Sequence, residues 1–314
     1  MYRMLRDSWH RVLTGINKVG SNLGNSPWIR SQFAERVLGP VQQRIYSDQE
    51  AIEILNESWD NILILDACRA DLFEQTVNIS QFDRYEVRQS KASGTREWTQ
   101  KNFSGDAAQE VVYVNASPVV SREIGTAVGR FIDVWKQEFD VELGTIPPNK
   151  VAEAAIKASE AFPQKRLIVH FMQPHYPFIG HQDLNFTSFQ GTDQIEMDGS
   201  DRASDVWDAL SLGIVDQKKC WEGYKSNLES VLDVVMPLTE RLDGTTVITS
   251  DHGNLLGERP FGSPFKLYGH PNRVHHRNLR QVPWAEIDNI SNSEELSEDE
   301  LVDMDEQLRA LGYT

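Results

Sequence analysis

Residues 61–71 read NILILDACRAD. A run of Ile and Leu enters an aspartate with no polar alternation. A strand with one wet face alternates apolar and polar residues, whereas an unbroken run marks a strand covered on both faces, as in a parallel sheet flanked by helices. The expected strand spans 61–67. Three further runs have the same character: 111–115 (VVYVN), 166–172 (RLIVHFM) and 245–250 (TTVITS). Helical periodicity occupies roughly 120–139, 150–162 and 221–242. Strands alternating with helices of this length predict an α/β fold, doubly wound, with a largely parallel central sheet flanked by helices.

In such sheets ligands sit at the carboxyl ends of the strands. The run that opens at Asn61 ends in Asp66. The third ends near His170 and continues to Gln173, Pro174 and His175. The fourth ends in Asp251 and His252. Seven of the eight histidines fall after residue 165. Carboxylates and imidazoles converging at strand ends are the donors a divalent cation takes: Zn or Mn where nitrogen and oxygen mix, Mg or Ca where oxygen dominates. One such aspartate is as readily a helix cap. Asp66, Asp251, His252 and His270 together make the metal reading the expectation. Gly253 is expected to provide the turn that lets Asp251 and His252 face one ion.

The chain has 314 residues, 39% of them apolar, enough for a sizeable core. Its net charge of −16 (47 acidic against 31 basic residues) excludes a general nucleic-acid binder, because a phosphate backbone is repelled. The same acidity favours a protein adapted to a salty solvent, where screening shortens self-repulsion, over an ordinary acidic one. No window supplies the twenty or so apolar residues of a spanning helix, and no signal peptide is recognised. Cys68 and Cys220 make no disulfide framework. A cytoplasmic protein is the expectation.

Charge is unevenly placed. Residues 1–45 hold seven basic residues against Asp7 and Glu35. Met4, Leu5, Trp9, Val12, Leu13 and Ile16 recur near helical spacing. This N-terminal basic helical extension, residues 1–50, either lies peripherally on an anionic membrane or packs on the acidic body of its own chain. The second arrangement is the commoner. Residues 180–215 read as a surface excursion, and the tail from 291 to 305 is acidic. The catalytic domain is placed at 51–314.

Several segments, taken in order, carry a resemblance: NILILDACRADLF at 61–73, VHFMQPHYPF at 169–178, VITSDHGNLLGE at 247–258, YGHPNRVHHRNLRQVPW at 268–284 and EQLRALGY at 306–313. The chain resembles the alkaline phosphatase superfamily, and most closely its sulfatase-like branch, in a haloarchaeal type. The resemblance runs over about residues 58–314. It implies an alkaline phosphatase-like fold, one or two divalent ions and a hydroxyl or modified cysteine nucleophile. The nucleophile stands some thirty residues after the first aspartate, in QSKASGTREWTQKNF at 89–103, where the comparison selects Thr95 after Gly94. Ser93 and Thr99 are the fallbacks, and Ser93 and Thr95 are equally suited to capping a helix.

The resemblance then implies a metal-dependent hydrolase of phosphate or sulfate esters. Asp66, Thr95, Asp251, His252 and His270 are its metal set, and Thr95 is its nucleophile. His175 and His270 are expected to hold a second ion, or to bind the anion and protonate the leaving group. Arg69 and Arg96 are candidate anion clamps, because a guanidinium matches a tetrahedral oxyanion; a structural salt bridge competes for Arg69. His275 and His276 belong to the same rim without an assigned role. The substrate is a small-molecule or glycan phosphate or sulfate ester. Two alternatives use the same residues: transfer of a phosphorylated headgroup to a lipid or glycan, and a silent homologue that binds anionic glycans. Two departures weigh against a formylglycine sulfatase: no Cys-x-Pro-x-Arg segment exists, and Asp66 is followed by Ala67 rather than a second aspartate.

Overall fold

The computed structural model describes residues 26–48, 50–103, 106–124, 127–186 and 203–289. Nine strands are found there: β1 (Asn61–Leu65), β2 (Arg84–Gln89), β3 (Val111–Asn115), β4 (Arg130–Asp133), β5 (Arg166–Phe171), β6 (Gly244–Thr249), β7 (Leu255–Glu258), β8 (Leu267–Gly269) and β9 (Gln281–Asn289). The helices, in chain order, are α1 (Ser26–Phe33), α2 (Gly39–Ile45), α3 (Ala70–Thr76), α4 (Thr95–Asn102), α5 (Pro118–Glu123), α6 (Trp135–Glu138), α7 (Pro148–Ala161), α8 (Val206–Ser211), α9 (Gln217–Thr239) and α10 (Arg277–Arg280).

Seven strands form one mixed sheet in the order β2-β9-β6-β1-β5-β3-β4. β6, β1, β5, β3 and β4 pair in parallel, and β9 runs antiparallel to both β6 and β2. β7 and β8 make a separate hairpin. The mostly parallel sheet flanked by helices is the fold the apolar runs predicted. β1 explains why its sequence does not alternate. Leu63 and Leu65 enter one core with Val151 of α7 and Val231 of α9, while Ile62 and Ile64 enter the opposite core with Trp98 of α4 and Val247. All four are fully buried, each burial contributing about 1.5–3 kcal/mol.

The region 120–139 is not one helix. α5 ends at Glu123, β4 follows, and α6 is a single turn. Gly129 passes so close to Gln109 that a Cβ there would lie 2.1 Å from its carbonyl oxygen, an approach no continuous helix makes. The apolar periodicity reflects Phe131 and Ile132 of this edge strand and the flanking Val128 and Val134, which pack into the two cores. β9 was also invisible as a strand because it contains Pro283. That residue lies one step past the last β6 pair, Thr249↔Trp284, so it has only β2 as a neighbour, a local edge where a missing N–H is tolerated. Part of the supposed excursion at 180–215 is core: Val206, Trp207, Ala209 and Leu210 of α8 are buried, whereas 187–202 lies outside the described residues.

The described part of the N-terminal extension packs on the body of the chain. Ala34 and Leu38 join Leu255, Leu267, Val274 and Leu279 in a small apolar cluster. Pro40 has no N–H to give the carbonyl of Arg36, and the helix relaxes into a π turn at Ala34–Leu38, where Gly39 N–H reaches back to Ala34 O. Met4 to Ile16 and the acidic tail beyond 290 lie outside the described residues. Among the described residues no helix is long and apolar enough to cross a membrane.

Candidate metal centre and nucleophile

β1 stops at Leu65, and the chain turns at Ala67, which takes the left-handed φ of 61°. Three bonds hold that turn. Ala67 N–H donates to Asp251 Oδ1 at 3.0 Å, Cys68 N–H donates to Ser250 Oγ at 2.8 Å, and the Tyr224 hydroxyl of α9 donates to Ala67 O. The first and fourth predicted strands are thus tied together at their carboxyl ends. Gly253 is not left-handed, so the turn expected there sits at Ala67 instead. What requires glycine at 253 is proximity: a Cβ would stand 2.2 Å from Asn278 O.

Asp66, Asp251 and His252 converge. One ligating atom from each lies within 4.8 Å of the others. His252 Nε2 is 3.4 Å from Asp251 Oδ2 and 3.7 Å from Asp66 Oδ1. Donors at 2.0–2.2 Å around a tetrahedral ion stand about 3.3–3.6 Å apart, so the spacing fits. His252 Nδ1 must donate to Gly253 O at 2.8 Å, which leaves the Nε2 lone pair for a ligand. Asp66 Oδ1 and Asp251 Oδ2 are buried and have no hydrogen-bond partner, an arrangement costly without a cation. Desolvation, then the neighbouring charge of Asp251, pushes the Asp66 carboxyl well above its usual range. Desolvation lowers His252 to about 3, keeping the ring neutral. The residues present therefore fit a divalent cation.

Thr95 opens α4, with its Oγ1 3.1 Å from His252 Nε2. It does not cap the helix: the N-cap is Gly94, and no side chain caps it. Ser93 Oγ donates to Pro271 O and Thr99 Oγ1 to Thr95 O, so both fallback hydroxyls are turned elsewhere. Gly94 is extended, not left-handed. A Cβ there would be 2.9 Å from Asn272 Oδ1, and this lets the His270 segment close over Thr95.

His270 is absent from the three-residue donor group. Its Nε2 faces His175 Nε2 at 3.0 Å, and its ring lies 4.6 Å from that of His252. His175 Nδ1 bonds Tyr176 O and His270 bonds its own backbone carbonyl, so the two Nε2 atoms meet across one hydrogen bond. Burial and the two neighbouring imidazoles lower the His270 pKa well below normal. Asn227 of α9 fixes this loop by donating to the carbonyls of Pro174, His175 and Pro177.

Arg69 is a correction. Its Nε and Nη2 bind Asp71 at 2.8 and 2.6 Å, its Nη1 binds Glu258 at 2.8 Å, and it stacks over Trp221. Those donors are spent inside the protein, so the competing salt bridge replaces the anion clamp. Arg96 is exposed at the mouth, its Nε on Glu123 at 2.9 Å. His275 is drawn away to Arg280 and stacks on Tyr46, and His276 accepts from Asn278 N–H as a helix cap. The end of β5 brings a further histidine to the centre. His170 is fully buried; its Nδ1 is 2.8 Å from the Tyr113 hydroxyl, and its Nε2 is without a partner 3.6 Å from Asp66 Oδ2. Desolvation lowers its pKa to about 4.

Above the centre opens a cleft of about 360 Å³, lined by Thr95, Arg96, His270, Trp207 and Tyr268, with Arg30 and Glu35 from the N-terminal helix.

No protein-family model matches the chain, and no curated protein matches it. Solved structures do. The soluble domain of lipooligosaccharide phosphoethanolamine transferase A from Neisseria meningitidis aligns at 14% identity and a TM-score of 0.46, covering 72% of this chain and 75% of that one. The integral membrane form of that transferase aligns at 13% and 0.48, covering 93% of this chain, which spans 60% of the transferase's length. A putative sulfatase from Bacteroides thetaiotaomicron aligns at 12% and 0.43, covering 73% and 64%. Likeness at this level decides neither reaction nor substrate, so the functional reading stands on the site itself.

Proposed function

We propose that this chain is a metal-dependent enzyme of the alkaline phosphatase superfamily that cleaves or transfers phosphate or sulfate esters with Thr95 as nucleophile. The observation that carries the reading is the Thr95 hydroxyl, 3.1 Å from His252 Nε2, beside two buried carboxylates whose facing oxygens lack partners. Asp66, Asp251, His252 and Thr95 would hold the cation. The cation supplies positive charge that lowers the hydroxyl's pKa and offsets charge on the ester. Thr95 loses its hydroxyl proton to solvent, and its Oγ attacks phosphorus or sulfur in line. The bond to the leaving oxygen breaks, and a threonyl ester and an alkoxide form, the alkoxide then taking up a proton. Water or an acceptor alcohol then cleaves that ester and restores the hydroxyl. The His270–His175 pair is assigned to binding the ester beside Thr95 and, once it has taken up a proton from solvent, to passing that proton to the departing oxygen. Arg96 at the mouth is assigned to the substrate's anionic oxygens. The division into a helical extension (1–50) and a catalytic domain (51–314) is kept.

The test is turnover of 4-nitrophenyl phosphate, bis(4-nitrophenyl) phosphate and 4-nitrophenyl sulfate at low and high salt. Each is run with Mn, Zn, Mg or Ca, and with and without an acceptor alcohol. Metal-dependent turnover should fall roughly a thousandfold or more in Thr95→Ala with little change in Tm. Turnover that survives the substitution removes Thr95 from its role.

A further inference from the structure

We propose that Arg36 and Arg273 form a subsite for a second anionic group of the substrate, a phosphate or sulfate carried beyond the reacting ester; this rests on the ester reading above. The cleft over Thr95 continues past Arg96, Asn272 and Glu35 into a second one of about 580 Å³. Its lining brings four cations (Arg36, Arg96, Lys101 and Arg273) together with two carboxylates, Glu35 and Glu97, in a chain of net charge −16. Lys101 is neutralised by Asp48 at 2.9 Å and Glu97 at 2.8 Å, and Arg96, assigned above to the reacting ester, is tethered to Glu123 at 2.9 Å through its Nε alone. Among the described residues Arg36 and Arg273 have no carboxylate within ion-pair distance, and only Glu35 stands unpaired against them. Acidic groups outnumber basic ones by half in this chain, so two arginines left without partners beside the cleft are poised for an anion from outside. Guanidinium groups match a tetrahedral oxyanion, and a cationic rim concentrates anionic substrate.

Their placement is built rather than incidental. α2 begins at Gly39, where a Cβ would lie 3.0 Å from Arg273 Cβ and 3.3 Å from Asn272 O; the close approach brings the turn bearing Arg36 beside the loop. Gln42, almost fully buried, pins the helix by donating to Phe261 O and accepting from His275 N–H, both at 2.7 Å. Arg273 keeps a left-handed φ of 65°, where asparagine or glycine is less strained, and its N–H donates to Glu97 Oε2. Ser93 bonds both Pro271 O and Val274 N–H, so the loop carrying Arg273 is fastened two residues from Thr95. The second anion site is thereby held in fixed relation to the nucleophile.

The experiment titrates sucrose octasulfate, a dense polyanion, into the full metal-loaded chain by calorimetry. It compares wild type with Arg36→Ala/Arg273→Asn, whose asparagine suits the left-handed backbone, and with the charge-keeping Arg36→Lys/Arg273→Lys. The first double variant should bind at least tenfold more weakly at unchanged Tm, and the lysine variant should recover part of the loss. Equal binding by wild type and the Ala/Asn variant, or no binding by wild type, overturns the subsite. Nitrophenyl ester turnover is measured in parallel. Turnover without discrimination between the proteins leaves the ester reading standing and removes the subsite. Discrimination with no ester turned over keeps the anion site and removes the ester reading.

Discussion

The two ends of the central strands are both rich in polar groups, yet they differ in one respect. At the amino end, Asn61 donates to Asp243 O and Thr246, Asp60 accepts from Thr245 N–H, and Arg166 donates to the carbonyls of Leu55, Glu57 and Trp59 while stacking on the Trp59 ring at 3.5 Å. None of Asp60, Asn61 and Arg166 has an unpartnered buried atom. At the carboxyl end, Asp66 Oδ1, Asp251 Oδ2 and His170 Nε2 are buried and unpartnered. The amino-end cleft is even the larger, about 450 Å³ against 360 Å³. Neither polarity nor cavity size therefore distinguishes a site from a strand cap. Single unpartnered buried atoms occur elsewhere too, such as Asn102 Oδ1 and Trp135 Nε1. Among the described residues, however, only the carboxyl end brings unpartnered carboxylate oxygens together with an imidazole, where a cation would repay the desolvation.

Breaking the carboxyl end should remove function first. Asp251→Asn should lower ester turnover by roughly a thousandfold and cut bound metal, measured by elemental analysis, since a carbonyl replaces a charged donor. Retained metal and turnover would dissolve the contrast between the two ends.

Acid should expose the same asymmetry. His170 and His252, with folded pKa values of about 4 and 3, titrate near 6.5 when unfolded. Between those values the unfolded state binds more protons, so their contribution is complete above about pH 6.5. It is lost as pH falls toward 4, at up to about 1.4 kcal/mol per pH unit for each ring. The raised Asp66 carboxyl works in the opposite sense. The check is therefore the difference between wild type and His170→Asn in urea midpoints of metal-free protein between pH 7 and 4, which should shrink as the pH falls. No histidine lies among the amino-end groups, so substitutions there should leave it unchanged.

The smallest effect belongs to the amino end. Arg166→Ala abandons three carbonyl contacts and should cost about 1–3 kcal/mol in denaturant unfolding. Its kcat and metal content should stay at wild-type values; a drop in either would mean that the two ends communicate through β1 and β5.

The unbroken runs at 61–67, 111–115, 166–172 and 245–250 foretold four of the five parallel strands, because burial on both faces leaves its mark in local composition. β9 escaped notice through Pro283, and β4 because its apolar residues mimicked helical spacing. Asp66, Asp251 and His252, the group proposed to hold the cation, were legible as strand-end residues. Composition could not say which charged groups spend themselves on one another: Arg69 reads like an anion clamp in LDACRAD, and only its meeting with Asp71 and Glu258 removes it.

By itself the sequence determined the layered fold, the donor types and the acidic surface, since these follow from side-chain chemistry and near-neighbour periodicity. Tertiary structure alone decided that Thr95 rather than Ser93 or Thr99 faces His252, that the turn is made at Ala67, and that a helix near the N-terminus walls the cleft. Those outcomes depend on contacts between residues more than a hundred positions apart, such as Thr95 with His252 and Ala67 with Asp251, and no local pattern encodes such distances.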